Sequence, residues 1–295
     1  MHPANQMELT VTGAMLTDTG RVRTMNEDTV AFVIPADGDA AADKGMLALV
    51  ADGMGGHAAG EIASALAAEV VRRVYFALDA SPPNALRSAF MAANTAILEH
   101  AEANPQCGGM GTTCTAVAIK NGKLFLAHVG DSRAYLLRES QAIQVSEDQS
   151  LHAQMVREGL MREEDLANHP GQNLILQALG AKDEIEPAIW PEGLALQDGD
   201  MLLLCSDGLS NMVSERQIAD VARFENPQDA CEHLIDLACE AGGPDNISVG
   251  IFRVSALSAS LSDAQKPTRQ ISIIEDEAED AIYSMTTRII KVPMV

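Results

Sequence analysis

Two apolar runs in this chain end alike. Leu47-Ala48-Leu49-Val50-Ala51 runs into Asp52-Gly53, and Leu202-Leu203-Leu204-Cys205 runs through Ser206 into Asp207-Gly208. Such runs are too apolar to stay in water and too short for an ordinary helix, so each predicts a buried strand. The strand end carries a carboxylate to the rim of the core, and the glycine after it puts no side chain in the way of whatever the carboxylate holds. One Asp-Gly after a strand reads as a turn. The repetition matters because further acids occupy similar places: Glu27 and Asp28 before a strand, Asp131 after Val129-Gly130, and Asp245 between Gly243-Pro244 and a strand.

The chain around these acids comes in blocks. Strands are expected over residues 8–16, 29–34 and 45–51. A helix over 61–78 is broken by Pro82-Pro83, and Asn84 can cap a second helix reaching about 103. Residues 113–119, the turn Asn121-Gly122 and residues 124–129 form a hairpin signal, continued by strands over 133–137 and 143–145. Residues 185–189 and 200–205 return to strand, 214–222 and 227–241 to helix, and 246–254 close with a strand. Strand blocks alternating with helix pairs, rather than strict βαβ order, predict an α+β fold of mainly antiparallel sheets covered by helix pairs. A domain over residues 8–254 is expected. The extension 255–295, with its acidic run from Glu275 to Asp280 between apolar segments, reads as a mobile tail or a docking segment.

Composition narrows the partners. Of 295 residues 47% are hydrophobic and only 3% aromatic, so the core must be built from Ala, Leu, Val, Ile and Met. A net charge of −22 argues against nucleic acid or an anionic membrane as the main partner. The five cysteines are odd in number and lack a CxxC pair, which indicates neither a disulfide framework nor a zinc ribbon. Met1 to Met7 lacks a basic segment leading into an apolar one, and no apolar run approaches the ~18 residues of a spanning helix. A cytoplasmic, monomeric protein is expected.

Burying several carboxylates together is costly without cations. An all-oxygen set selects hard ions, Mg²⁺ or Mn²⁺. Two such ions ~4 Å apart acidify a bridging water and suit in-line attack on a phosphoryl group. An arginine would then grip the phosphate oxygens, and Arg23 shares a loop with Glu27 and Asp28.

Arg23-Thr24-Met25-Asn26-Glu27-Asp28, Val50-Ala51-Asp52-Gly53-Met54-Gly55-Gly56-His57, Gly111-Thr112-Thr113, Gly130-Asp131-Ser132-Arg133, Ser206-Asp207-Gly208-Leu209 and Gly243-Pro244-Asp245-Asn246 together resemble, in order and spacing, the successive motifs of the metal-dependent protein serine/threonine phosphatases (PPM family, type 2C) in their bacterial form. The resemblance covers roughly residues 9–254. It implies a four-layer α-β-β-α sandwich with a metal centre at one end of two antiparallel sheets. It implies that Asp52 bridges two ions, that Asp207 and Asp245 complete the first, and that Glu27 and the Gly53 carbonyl serve the second. Asp28 would order metal-bound water from behind, Asp131 with Asp207 would supply a weaker third site, and Arg23 would bind the substrate phosphate. Residues 150–180 would form the flap beside the site. The implied reaction is Mn²⁺- or Mg²⁺-dependent hydrolysis of phosphoserine and phosphothreonine on proteins by the bridging water, with no phosphoenzyme, reversing a cognate Ser/Thr kinase.

Two positions depart from the family. Where animal members carry a histidine after the Asp-Gly, proposed as general acid, this chain has Met54; His57 lies three residues later and does not inherit the role. Metal-bound water is the alternative proton source. Flaps of bacterial members often carry arginines where this chain has Gln172 and Gln177, so anionic phosphopeptides should gain less here. Gly130-Asp131-Ser132 is not read as a serine-hydrolase motif, since no matching downstream Asp-x-x-His follows. Ser132 and Arg133 are expected to be structural, and His100, His128, His152 and His233 are too scattered to be ligands. The competing readings are a pseudophosphatase that uses the same fold as a phosphoprotein-binding scaffold, and a phosphatase of small metabolites. The first would require loss of a metal acid, and Glu27, Asp52, Asp207 and Asp245 are all present.

Overall fold

The computed structural model describes residues 9–35, 42–55, 59–139, 141–162 and 174–256. Its strands form two sheets. In the first, β1 (Leu9–Asp18), β12 (Ile247–Ala256), β11 (Met201–Cys205), β7 (Arg133–Arg138) and β8 (Gln141–Gln144) lie side by side in that order. In the second the order is β10 (Leu194–Ala195), β6 (Lys123–Val129), β5 (Cys114–Lys120), β3 (Met46–Met54) and β2 (Asp28–Val33), with β4 (Gly111–Thr112) on β3 and β9 (Ala188–Ile189) on β6. Every pairing between these strands is antiparallel.

The pleat sorts each strand between two cores. Along β3, Leu47, Leu49 and Ala51 pack on α1 (Ala59–Ala77) and α2 (Pro82–Ala103), while Met46, Ala48 and Val50 face the opposite sheet. Along β11, Leu203 and Cys205 pack on α5 (Glu215–Phe224) and α6 (Pro227–Glu240), while Leu202 and Leu204 point inward. The inner core therefore lies between the sheets and the two outer cores under the helix pairs: the α-β-β-α sandwich. With few aromatics the helices approach closely on alanine, as at Ala63, Ala67, Ala85, Ala89 and Ala93, all fully buried. The five cysteines are buried and free, as small core residues.

Local chemistry sets the boundaries. The hairpin between β5 and β6 turns on Asn121 and Gly122, both with positive φ (51° and 69°), as a tight two-residue turn requires. Pro82 and Pro83 open α2 instead of merely ending α1, because the first helical positions need no N–H; Ser81, not Asn84, stands at the cap. Ser214 makes a reciprocal capping box with Gln217 at the start of α5, and Asn226 caps α6. The strand expected over 185–189 shrinks to Ala188–Ile189, since Pro187 offers no donor to a ladder. Asp207-Gly208 is no simple turn but the start of a short helix, α4 (Asp207–Ser210). Within residues 150–180, α3 spans Leu151–Arg157. Among the described residues no helix is long and apolar enough to cross a membrane.

Candidate metal centre

All the candidate acids gather at one end of the sandwich. Asp28 and Asp52 stand opposite each other in the register of β2 and β3. The backbone of Asp52 is fully engaged: its N–H donates to Thr113 Oγ1 at 3.0 Å, and its carbonyl accepts from Thr113 N–H and Thr112 Oγ1, each at 2.9 Å. None of these bonds uses its carboxylate. Gly53 donates to the Glu27 carbonyl at 3.1 Å. A Cβ on Gly53 would lie 2.2 Å from the Gly60 carbonyl oxygen, and one on Gly60 would lie 2.5 Å from Glu27 Oε1. The first turn of α1 therefore bears directly on the Glu27 carboxylate, and only glycine allows this approach.

The other sheet contributes Asp207, at the start of α4, and Asp245, just before β12. Between them and the Arg23 loop lies Asn246. Its Oδ1 accepts from Glu27 N–H at 2.8 Å, and its Nδ2 donates to the carbonyls of Thr19 (3.0 Å) and Met25 (2.9 Å). One side chain thus holds the entire loop carrying Arg23 and Glu27 against Asp245. Ser248 donates to Asp28 Oδ2 at 2.7 Å, and Ser248 N–H donates to Ser206 Oγ at 2.9 Å. Asp131 sits in the turn from β6 to β7, where Ser132 Oγ and Thr113 Oγ1 are 2.7 Å apart and tie that turn to the support of Asp52. Asn211 Nδ2 donates to Asp207 Oδ2 at 3.2 Å.

The electrostatics are those of acids that outnumber their counter-charges. Burial, and then the charges of Asp28, Asp207 and Asp131, hold the Asp52 pKa well above the usual carboxylate range. Burial raises Asp28 to about 7 against the hydrogen bond from Ser248, and burial with Asp207 nearby raises Asp131 to about 7. Asp207 is raised by burial and Asp245, and Glu27 by burial, with Arg23 opposing. Oε1 of Glu27, Oδ1 of Asp131 and Oδ1 of Asp207 are buried with no hydrogen-bond partner. Arg23 is the cation at hand: its Nη2 donates to Asp245 Oδ2 at 2.9 Å, and its Nη1 stands 3.9 Å from Glu27 Oε2.

As they stand, no three His, Cys, Asp or Glu among the described residues close into a set that could hold an ion. Arg23 takes Asp245 to itself. The chemistry of the donors nevertheless fits hard divalent ions: carboxylates and a backbone carbonyl only, with three orphaned buried oxygens whose demand no protein group meets.

The six candidate acids, Glu27, Asp28, Asp52, Asp131, Asp207 and Asp245, lie at this end with Arg23. Arg133 is structural, as expected, donating to Asp148 and to the Tyr135 hydroxyl. His128 is buried beside Thr115, and His233 pairs with Glu225. Met54 ends β3 opposite Gly111. Gln177 Oε1 accepts from Glu186 N–H at 3.2 Å. His57, Gln172, most of the extension after 254 and residues 163–173 of the flap fall outside the described residues. Sequence reasoning assigned no role to Asn246 or Ser248, whose signal was only their closeness to Asp245.

Comparison with known proteins gives a consistent answer. A family model described as Protein phosphatase 2C matches residues 20–237. The serine/threonine protein phosphatase PstP of Mycobacterium tuberculosis is 39% identical over 246 residues, which are 82% of this chain but 44% of that protein; the chain thus spans less than half the length of this relative. The serine/threonine phosphatase stp of Listeria welshimeri is 36% identical over 239 residues, 79% of this chain and 92% of that one. A solved structure described as the catalytic domain of PstP in complex with two manganese ions superposes with a TM-score of 0.73 at 35% identity, covering 84% of this chain and all of that one.

Proposed function

This chain belongs to the protein phosphatase 2C family, and from that premise we propose that it is a Mn²⁺- or Mg²⁺-dependent phosphatase hydrolysing phosphoserine and phosphothreonine on proteins. The observation that carries the reading is the set of orphaned, buried oxygens on Glu27, Asp131 and Asp207, gathered around an Asp52 whose backbone is locked. Asp52, Asp207 and Asp245 would hold one ion, and Asp52, Glu27 and the Gly53 carbonyl a second; Asp131 with Asp207 would hold a third, weaker one. When bound, such ions supply Lewis-acid activation of the attacking water and offset charge on the phosphoryl group.

The chain's own residues do the rest. Arg23 is half-exposed, and its fork is already presented at the cluster by Asp245. It exchanges that carboxylate for two phosphate oxygens and so sets the substrate in line. Asp28, held by Ser248, orients water from behind the cluster. Met54 has no proton to give, so the departing alkoxide takes its proton from water rather than from a side chain at that position. None of the buried cysteines is placed to act as a nucleophile: burial pushes the thiols of Cys205 and Cys231 up to about 12. The substrates would be phosphoproteins and the opposing partner a Ser/Thr kinase, with the enzyme acting as a cytoplasmic monomer.

The test is hydrolysis of p-nitrophenyl phosphate and of a phosphothreonine peptide by metal-stripped protein with Mn²⁺ restored, beside Asp207→Asn. Turnover of both substrates that depends on Mn²⁺ and collapses in the variant is expected. Equal turnover in the two proteins would sink the reading, and hydrolysis of the small ester without the peptide would move it to metabolites.

A further inference from the structure

The segment after β8 runs back over the turn that carries Asp131, and each of its residues from Glu147 to Gln149 is fastened there. His128 Nε2 lies 3.1 Å from the Glu147 carbonyl oxygen. Arg133 donates to Asp148 through Nε, at 3.1 and 3.0 Å to the two carboxylate oxygens, and through Nη2 at 2.7 Å. Gln149 takes both backbone groups of the residue before Asp131: its N–H donates to the Gly130 carbonyl at 2.7 Å, and its side-chain Oε1 accepts from Gly130 N–H at 3.0 Å. On its other side the Gln149 carbonyl accepts from Leu176 N–H at 2.8 Å.

Asp131 needs such support. Its Oδ1 is buried without a partner, so the backbone of the turn sets where the carboxylate points. That turn is already constrained. Gly130 has a φ of +107°, and a Cβ there would lie 2.6 Å from the Thr113 side chain, whose hydroxyl receives the Asp52 N–H. Thr113 holds the turn from the side of the inner acids. Gln149 is the group that holds it from the outside, and it does so through its side chain, which a plain loop contact would not require.

We propose that Gln149 is a positioning residue that aims the Asp131 carboxylate at an outer, third ion without touching the ion itself; this rests on the metal reading above. Groups that orient a metal ligand are worth roughly 10- to 100-fold in metal affinity. Gln149 acts one bond network behind the ligand, so the lower end applies.

The experiment is calorimetric titration of the full-length, metal-stripped protein with Mn²⁺, with no substrate present. Wild type should show tight sites and a weaker one that Asp131→Asn lacks. Gln149→Met fills the same space without an acceptor, and should weaken the outer site about 10-fold while leaving the tight sites unchanged. Gln149→Glu, which keeps an acceptor oxygen, should restore it. Should Gln149→Met fail to fold, Gln149→Asn, which withdraws the acceptor by one methylene, carries the same expectation. A Gln149→Met protein whose outer site is intact, or whose tight sites weaken equally, overturns the inference and leaves the metal reading standing. A wild type without any site sensitive to Asp131→Asn overturns the outer-ion reading, and the inference with it.

Discussion

Strands β7 and β11 lie side by side, and acids are buried at both of their ends under opposite terms. At one end Asp200, only 2% exposed, receives Arg138 Nε at 2.8 Å, Arg138 Nη2 at 2.6 Å and the Gln197 N–H at 2.7 Å. At the other end Asp131 and Asp207 each keep a buried oxygen with no partner, and the arginines that act on them are engaged by other acids, Arg23 by Asp245 and Arg133 by Asp148. Asp148, close to that second end, shows that the chain could have met the demand there too, since Arg133 clamps it from two nitrogens. A buried carboxylate is therefore no sign of function by itself. What marks the metal end is demand left unmet where the same fold shows how it is met.

The contrast makes opposite predictions for neutralising an acid at the two ends. Asp52→Asn should cost on the order of 10³-fold in kcat, because several kcal/mol of charge stabilisation depend on it. The metal-free variant should nevertheless melt higher than metal-free wild type, since one repelling charge has gone. A lower melting temperature would break the comparison. At the other end, Arg138→Met strands Asp200 and should cost about 3 kcal/mol in urea unfolding, with turnover per folded molecule unchanged.

Smaller effects concern the ions and the supports. Asp28 and Asp131 have folded pKa values raised from 3.8 to about 7. A carboxyl raised in the fold binds its proton more tightly there than in the unfolded chain. Its contribution is therefore present below about pH 4 and lost as the pH climbs to about 7. Metal-free protein should melt lower at pH 8 than at pH 5. Mn²⁺ at 100 times its dissociation constant should add about 2.7 kcal/mol at pH 8, where the acids are ionised. A metal-free melting curve that does not move between these pH values would show that the cluster stores no repulsion. Smallest is Ser248→Ala, which removes the donor to Asp28 and should cost about 1.5 kcal/mol of stability when measured with the ions bound.

Much of this was legible because it is local. An apolar run ending in Asp-Gly announces a strand end, and six acids in that setting announce a cation site. The block order of strands and helices was enough for antiparallel sheets covered by helix pairs; the four-layer sandwich came from the family resemblance. Contacts that depend on chain return were not legible. Asn246 works through the carbonyls of Thr19 and Met25 and the N–H of Glu27, all more than 200 residues away in sequence, and nothing adjacent to it in the chain encodes those partners. The Arg133–Asp148 clamp needs β7 and the segment after β8 to be folded together first. Pro82-Pro83 is ambiguous in sequence because the same dipeptide stops one helix and starts another.

The contact between Gly60 and Glu27 has a practical use. The helix leans on the carboxylate with no atom to spare, so one methyl group at position 60 would push Glu27 aside and press on the Gly53 carbonyl carbon, while leaving every charge in the cluster untouched. Gly60→Ala is thus a genetic tool of a kind that acid-to-amide changes cannot provide. It should uncouple the second ion from a protein that keeps its surface, its net charge and its acids. A cell carrying such an allele would reveal whether its phenotype follows from lost turnover alone or from the physical presence of the protein among its partners.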